Sequence, residues 1–371
     1  MLALLFDVVG PEPILQFIIA QPNSAYARRL AYLFEWLTGR NLELPSEALV
    51  PANAAFVPVL DESRQFGMAH GPRNAKFRVI DNLPGDRCFC PLVTKTPYLL
   101  EMVSKELKQR TLARLARYPA DLLRRAAAFL YLKETHSSFE VEREKPSPDR
   151  ARRFADLLRE AESDKPLSEQ RLVELQNAVV DQRFVEASYR QQQNWIGDDP
   201  GYGKRIAFVP PRPEDVRPLM EALVALSERV RRSPESIEPV VAAAAVSFGF
   251  VFIHPFMDGN GRLHRYLIHE TLSTAGFAPK EIVLPVSAVI LANMEKYVSA
   301  LEAFSKPLRD RTSCNPDVPA APATGNDAIH FRYFDATEQA GFLFDALERA
   351  VEHDLDGRSL SCSDSIAPAK H

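Results

Sequence analysis

The run "VVAAAAVSFGFVFI", residues 240–253, carries no charge at any position and is followed at once by "HPFMDGNGR", residues 254–262. An uncharged stretch of that length reads as a buried helix, here 238–253. Pro255 cannot continue it, because proline lacks an N–H and its ring clashes with the carbonyl four residues back. The helix therefore stops near His254 and leaves that imidazole at its mouth. Gly259 and Gly261 allow backbone conformations closed to other residues and let a ligand approach closely. Consecutive N–H groups in such a loop form an anion-binding nest, and a helix starting near Gly261 points its unsatisfied N–H groups at the same spot. A polyphosphate fits that description.

Arg262 and Arg265 lie three residues apart on the new helix, so both are expected on nearly the same face, each with a fork for phosphate or carboxylate. Asp258 offers a hard oxygen, and one carboxylate plus substrate phosphates is a usual way to hold Mg²⁺. His254 is the natural general base, since an ordinary imidazole titrates near neutral pH. Together these groups point to phosphoryl-type or nucleotidyl-type transfer. Other motifs fail on spacing. An EF-hand loop from Asp258 needs Gly at its sixth position and an acid at its twelfth, where Leu263 and His269 stand. No G-x-x-x-x-G-K-[ST] or H-E-x-x-H is found. A capped Gly-rich turn explains Asp258, Gly259 and Gly261, but not His254, Asn260, Arg262 and Arg265 with them.

At these residues the chain resembles the Fic (Fic/Doc) family, whose signature H-P-F-x-[D/E]-G-N-G-R-x-x-R is met by His254, Pro255, Phe256, Asp258, Gly259, Asn260, Gly261, Arg262 and Arg265. "NWIG" followed by "FVPPRPEDV" resembles the family's target-docking flap, with Trp195, Ile196 and Gly197 in it, and "LPVSAVIL" extends the likeness. The resemblance covers about residues 130 to 310. It implies transfer of AMP from ATP to a Ser, Thr or Tyr hydroxyl of a target protein, with Mg²⁺ or Mn²⁺. By that resemblance His254 deprotonates the hydroxyl and Asp258 holds the metal. Asn260 with the Gly259 and Gly261 amides cradles the phosphates, Arg262 and Arg265 hold the β and γ phosphates, and Phe256 packs inward. Gly259 argues against the kinase-like Doc branch, which loses that glycine. The flap edge would take its target in extended form by strand addition.

A second element, "THSSFEVERE", resembles the family's inhibitory motif [ST]-x-x-x-E-[GN] through Ser138 and Glu142, with Arg143 where the family has Gly or Asn. The resemblance implies that Glu142 pairs with Arg265 and must be displaced before phosphate uses that fork. In some relatives the same glutamate positions water to remove AMP again. His136 and His264 occupy no fixed family position and read as structural. Trp195 either docks a target or pins the hairpin. Tyr189, Ser137 and Thr135 are self-modification candidates by proximity.

The expected fold is mainly α: a Fic-type helical bundle with a β-hairpin flap, a small mixed N-terminal unit and a C-terminal helix. Residues 1–96 form that N-terminal accessory unit, with a helix over 24–38 and β-type runs in "AAFVPVL" and "KFRVI". Residues 97–310 form the helical domain, including the inhibitory helix 135–143, further helices over 147–162 and 167–185, a hairpin within 189–211 and the motif loop 254–265. "VSAVILANMEKYVSALEAFSKPL" reads as one helix, 311–327 as a Pro/Ala-rich linker, and 328–371 as a helix and tail.

The 371 residues carry a net charge of −4, so no global basic field favours nucleic acid or an anionic membrane. Four cysteines, with one C-x-C pair at Cys88 and Cys90, make neither a disulfide framework nor a zinc cluster, and the expected setting is reducing cytoplasm. The opening "MLALLFDVVGPEP" lacks a basic n-region and reads as folded structure. Expected partners are a hydroxyl-bearing target protein, this chain itself among the candidates, and a second copy in a homodimer. Two other readings stay open: a Fic-fold transferase of UMP or phosphocholine, and a nucleotide-sensing interaction module.

Overall fold

A computed structural model describes residues 2–45, 50–160, 165–198, 205–279, 282–315 and 323–355. Its N-terminal part sets helices α1 (Leu2–Val9), α2 (Glu12–Ala20) and α3 (Ala25–Thr38) against short strands. Ser24 caps α3 by accepting from the Ala27 N–H, and Gly39 closes it in the left-handed conformation. Strands β1 (Val57–Pro58), β3 (Arg73–Asn74) and β4 (Val79–Ile80) form a sheet ordered β1-β4-β3, while β2 (Gln65–Phe66) pairs with β5 (Val93–Thr94). Phe6, Ile18, Phe34 and Phe77 make a core of their own there, whereas Phe66, Met68, Phe89 and Val93 are buried in the main core. The N-terminal unit is thus anchored on the helical domain. Among the described residues no single helix is long and apolar enough to cross a membrane; α1 and α2 pass that test only as a pair bent by 98°.

Helices α4 (Pro97–Ser104), α5 (Leu107–Leu115), α6 (Ala120–Val141), α7 (Pro148–Glu160) and α8 (Glu169–Val179) follow. Glu106, left-handed at φ 48, parts α4 from α5. The bend lets Lys105 and Arg110 both reach Glu348 further along the chain. Of the helix expected over 135–143, residues 135–141 are the last part of α6, Glu142 is its C-cap and Arg143 lies beyond it. Helix α8 ends at Val179 instead of running to 185, and its freed Val179 carbonyl accepts from Arg150 and Arg262. Cations at a helix C-terminus satisfy such orphan carbonyls.

The hairpin β6 (Ile196–Asp198) and β7 (Arg205–Phe208) is antiparallel, and its turn, 199–204, lies outside the described residues. Helix α9 (Pro213–Arg232) leads to α10 (Pro239–Ile253), in which every residue from Val240 to Ile253 except Val251 is buried. Glu238 starts α10 by accepting from the Val241 N–H at 2.8 Å. Around α10 pack α9, α11 (Asn260–Thr274), α14 (Ala328–Arg332) and α15 (Thr337–Asp354). An apolar surface on all sides requires such a central place. The helix expected after "LP" is two, α12 (Val286–Ala292) and α13 (Met294–Arg309), parted at Asn293, whose side chain donates to the Val289 carbonyl at 2.8 Å. Asparagine in that role competes with the helix ladder.

The C-terminal helix is not an appendage. In α15, Ala340, Leu343, Phe344, Leu347 and Val351 are buried in the main core, against α10, α12 and α13. Of the expected linker, Ser313 and Thr324 exchange backbone hydrogen bonds at 3.0 and 2.9 Å, while 316–322 lie outside the described residues, as does the tail 356–371.

Candidate active site

Pro255 bars a right-handed conformation for the residue before it, and His254 closes α10 left-handed at φ 52. For a residue with a Cβ this costs roughly 1–2 kcal/mol, so the surrounding structure must hold it. Arg190 does so: its Nε donates to the His254 carbonyl at 2.9 Å and its backbone N–H to the Pro255 carbonyl at 2.8 Å. His254 Nδ1 lies 3.1 Å from the Val251 carbonyl. A carbonyl only accepts, so Nδ1 carries the proton and Nε2 the free lone pair. Burial lowers the His254 pKa to about 4. The ring is therefore neutral at physiological pH.

The rest of the loop is held by side chains. Asn260 Oδ1 accepts from the Phe256 N–H at 3.1 Å while its Nδ2 donates to the Phe256 carbonyl at 2.8 Å, and Asn194 donates to the same carbonyl. Glu186 accepts from the Met257 N–H at 2.8 Å, and Gln176 donates to the Asp258 carbonyl. Phe256 is fully buried beside Tyr189 and Phe250. Sequence reasoning gave the Asn260 side chain to phosphate, but it is 1% exposed and engaged with Phe256 at both ends. What the loop offers an anion is its backbone, with Gly259 left-handed at φ 89 just ahead of the N-terminus of α11.

Arg262 and Arg265, expected on one face, are both buried and serve different neighbours. Arg265 Nε donates to Ser138 Oγ at 2.8 Å, Nη2 to the Ser138 carbonyl at 2.7 Å and Nη1 to Glu142 Oε1 at 2.8 Å. Arg262 Nη1 donates to Glu144 Oε2 and to the Val179 carbonyl, and its Nη2 to Asp258 Oδ1 at 3.0 Å. Burial pushes the Glu142 carboxyl up, but the charge and hydrogen bond of Arg265, aided by the charge of Arg262, outweigh it and hold the group below its ordinary range. A Cβ built on Gly261 would meet Glu142 Oε1 at 2.1 Å. The carboxylate thus lies on the N-terminus of α11, where the sequence placed a phosphate.

Arg143 explains how Glu142 gets there. It takes φ 56, its N–H donates to the Glu140 carbonyl, and the Glu144 N–H donates to the Phe139 carbonyl. That is the Schellman end of a helix, with arginine at the position glycine favours.

A cavity of about 330 Å³ adjoins the loop, lined by Glu142, His254 and Gly261 and by Ile196, Phe208 and Leu301 among others. Ile196 comes from the hairpin and Gly197 pairs with Ile206 beside it, while Trp195 is half-buried at its base. Asp258 Oδ1 accepts from the Gly259 N–H and from Arg262, and its side chain is 33% exposed. Among the described residues no group of three or more His, Cys, Asp or Glu is arranged to hold a metal. One carboxylate of this kind fits Mg²⁺ or Mn²⁺ only when phosphate oxygens and waters complete the shell.

His264 is a core residue, with Nδ1 2.8 Å from the Ser247 carbonyl and its ring against Phe248. Tyr189, Thr135 and Ser137 are buried, which removes them as ready self-modification sites. Sequence reasoning missed Gln176, which holds the loop from α8, and Glu186, Arg190 and Asn194, which hold it from an irregular segment with no periodic signal.

Residues 166–272 match the family model described as Fic/DOC family. A protein adenylyltransferase Fic of Nematostella vectensis is 37% identical over 91 residues, 24% of this chain and 19% of that protein. The Drosophila melanogaster protein of the same name is 34% identical over 99 residues, 26% of this chain and 17% of that one. The chain thus spans about a fifth of the length of these curated relatives. A crystal structure of a Fic family protein from Desulfovibrio desulfuricans is 22% identical, with 74% of this chain and 77% of that one covered at a TM-score of 0.49. The stretch that matches the Fic/DOC family model, residues 166–272, contains the whole loop from His254 to Arg265.

Proposed function

We propose that the chain is a protein adenylyltransferase, held back by Glu142, which transfers AMP from ATP to a hydroxyl side chain of a target protein. The observation that carries the reading is the neutral His254, with its free Nε2, on a cavity that also reaches the Gly261 end of α11. Nε2 takes the proton of the target hydroxyl, and the oxygen attacks the α-phosphorus. The bond from that phosphorus to the bridging oxygen breaks, and pyrophosphate leaves with the electron pair. The backbone N–H groups of 259–261 meet the phosphate charge, and Arg265 joins them once Glu142 has moved away. A divalent cation, when bound, neutralises charge on the phosphates; Asp258 is the residue that would hold it. Apolar Ile196, Phe208 and Leu301 give the nucleoside a dry wall, and the β6–β7 edge is the surface that would take an extended target segment.

Glu142 has a second use in this reading. It is 36% exposed and lines the cavity, so it can also orient a water for the removal of AMP from a modified target. If the Glu142→Ala variant releases AMP from such a target as fast as the parent, that use is wrong. The transfer itself is tested by mass spectrometry of candidate proteins, and of this chain, after incubation with ATP and Mg²⁺. AMP on a Ser, Thr or Tyr, absent with His254→Ala, supports it. Addition of UMP or phosphocholine from their own donors, with none of AMP, overturns it.

A further inference from the structure

The α6 cap presents two acids, not one. On either side of the left-handed Arg143, Glu142 pairs with Arg265 and Glu144 pairs with Arg262, the latter at 2.8 Å. Their surroundings differ. Glu142 lines the cavity beside His254, whereas Glu144 lines the groove outside it, with Arg143 and Lys145. A ligand entering the cavity meets Glu142 and leaves Glu144 in place.

Glu144 Oε2 is shared by two guanidinium groups, Arg262 and Arg150, the second at 2.9 Å. Both arginines also donate to the Val179 carbonyl, and both lie over the Phe139 ring, at 5.3 and 5.2 Å from its centroid. Arg262 is 2% exposed in this cluster and keeps one nitrogen, Nη2, for Asp258 Oδ1. We propose that Glu144 is a positioning residue for Asp258: by holding Arg262, it limits how far that guanidinium draws on the Asp258 carboxylate, and so leaves Asp258 free to meet a divalent cation. Without the Glu144 charge, Asp258 is the remaining acid on Arg262, and a guanidinium fork takes both oxygens of a carboxylate in preference to one. The inference rests on the reading of Asp258 as the residue that meets the cation.

The test uses the full chain in the Glu142→Gly background, with Mn²⁺ and an α,β-methylene analogue of ATP that cannot be turned over. Mn²⁺ binding is read by electron paramagnetic resonance and analogue binding by calorimetry. Adding Glu144→Gln is expected to weaken Mn²⁺ binding about tenfold, as loss of an outer partner of a metal ligand does, with analogue affinity in the absence of metal unchanged. Adding Arg150→Met instead removes the competing cation but keeps Glu144 on Arg262, and Mn²⁺ affinity should hold. Unchanged Mn²⁺ affinity in Glu144→Gln, or an equal loss in Arg150→Met, overturns the positioning role. Tighter analogue binding in Glu144→Gln also overturns it, and makes Glu144 a second brake. A Glu142→Gly parent that takes up neither Mn²⁺ nor analogue sinks the proposed function along with this inference.

Discussion

Glu142 Oε1 lies where a side chain on Gly261 would begin, 2.1 Å from the Cβ position. Glycine at 261 is required by that approach, since its own φ is not left-handed. The carboxylate takes both things a phosphate needs, the Arg265 fork and the start of α11.

Removing the acid should therefore open the site, and filling the same space should not. A hydrogen bond to a charged group contributes about 1.5–3 kcal/mol, so Glu142→Gly is expected to tighten ATP binding by about tenfold or more. Gly261→Ala dislodges Glu142 too, but its methyl stays in the way and ATP binding should not improve. Calorimetric titration of the two variants decides; equal gains in both contradict the account.

Arg143 carries a left-handed conformation that costs a residue with a Cβ roughly 1–2 kcal/mol, offset by the roughly 0.5–1 kcal/mol of chain entropy that glycine loses on folding. Arg143→Gly should raise the melting midpoint by about 1–3 °C and make the Glu142 brake firmer. A calorimetric scan checks it, and a lowered midpoint would show that Arg143 stabilises the cap in some other way.

Asn260 should behave as part of the scaffold. Asn260→Ala strips the Phe256 backbone of two partners and is expected to cost about 2–3 kcal/mol, read as a lower denaturant midpoint together with loss of transfer. Full stability with reduced ATP binding would return its side chain to the phosphates.

The pH dependence follows from His254. It must be neutral to accept a proton, and its pKa is lowered to about 4 by burial. In the Glu142→Gly variant the transfer rate should stay level from pH 8 to about 5, without the fall near 6.5 of an ordinary imidazole. Stability behaves differently: the unfolded chain gains this proton below about 6.5 and the folded chain only near 4, so His254 favours unfolding progressively as pH drops through that window even while the rate stays level. A rate inflection near 6.5 contradicts the lowered pKa of the ring.

Much of the site is local chemistry and was legible in the sequence. Pro255 ending α10 and Gly259 ahead of α11 follow from backbone rules, while Ser138 and Glu142 stood out by their resemblance to a family motif. The tertiary choices were not legible. Nothing in the spacing of Arg262 and Arg265 says that one turns to Glu144 and the other to Ser138 and Glu142, because that depends on where α6, α7 and α8 pack. Arg190, Asn194 and Glu186 act through loop carbonyls and N–H groups that have no sequence signature. The apolar face of α15 marks a terminal helix in the sequence, but its packing against α10, α12 and α13 has no local signal.

The central claim is nucleotidyl transfer by His254 with Glu142 as the brake, and labelled ATP tests it most directly. The parent, Glu142→Gly and Glu142→Gly with His254→Ala are each incubated with Mg²⁺ and ATP carrying label on either the α or the γ phosphate. The account predicts protein-bound label from the α position alone, raised by the Glu142 change and abolished by the His254 change. Label from the γ position, or α label that survives loss of His254, would contradict it.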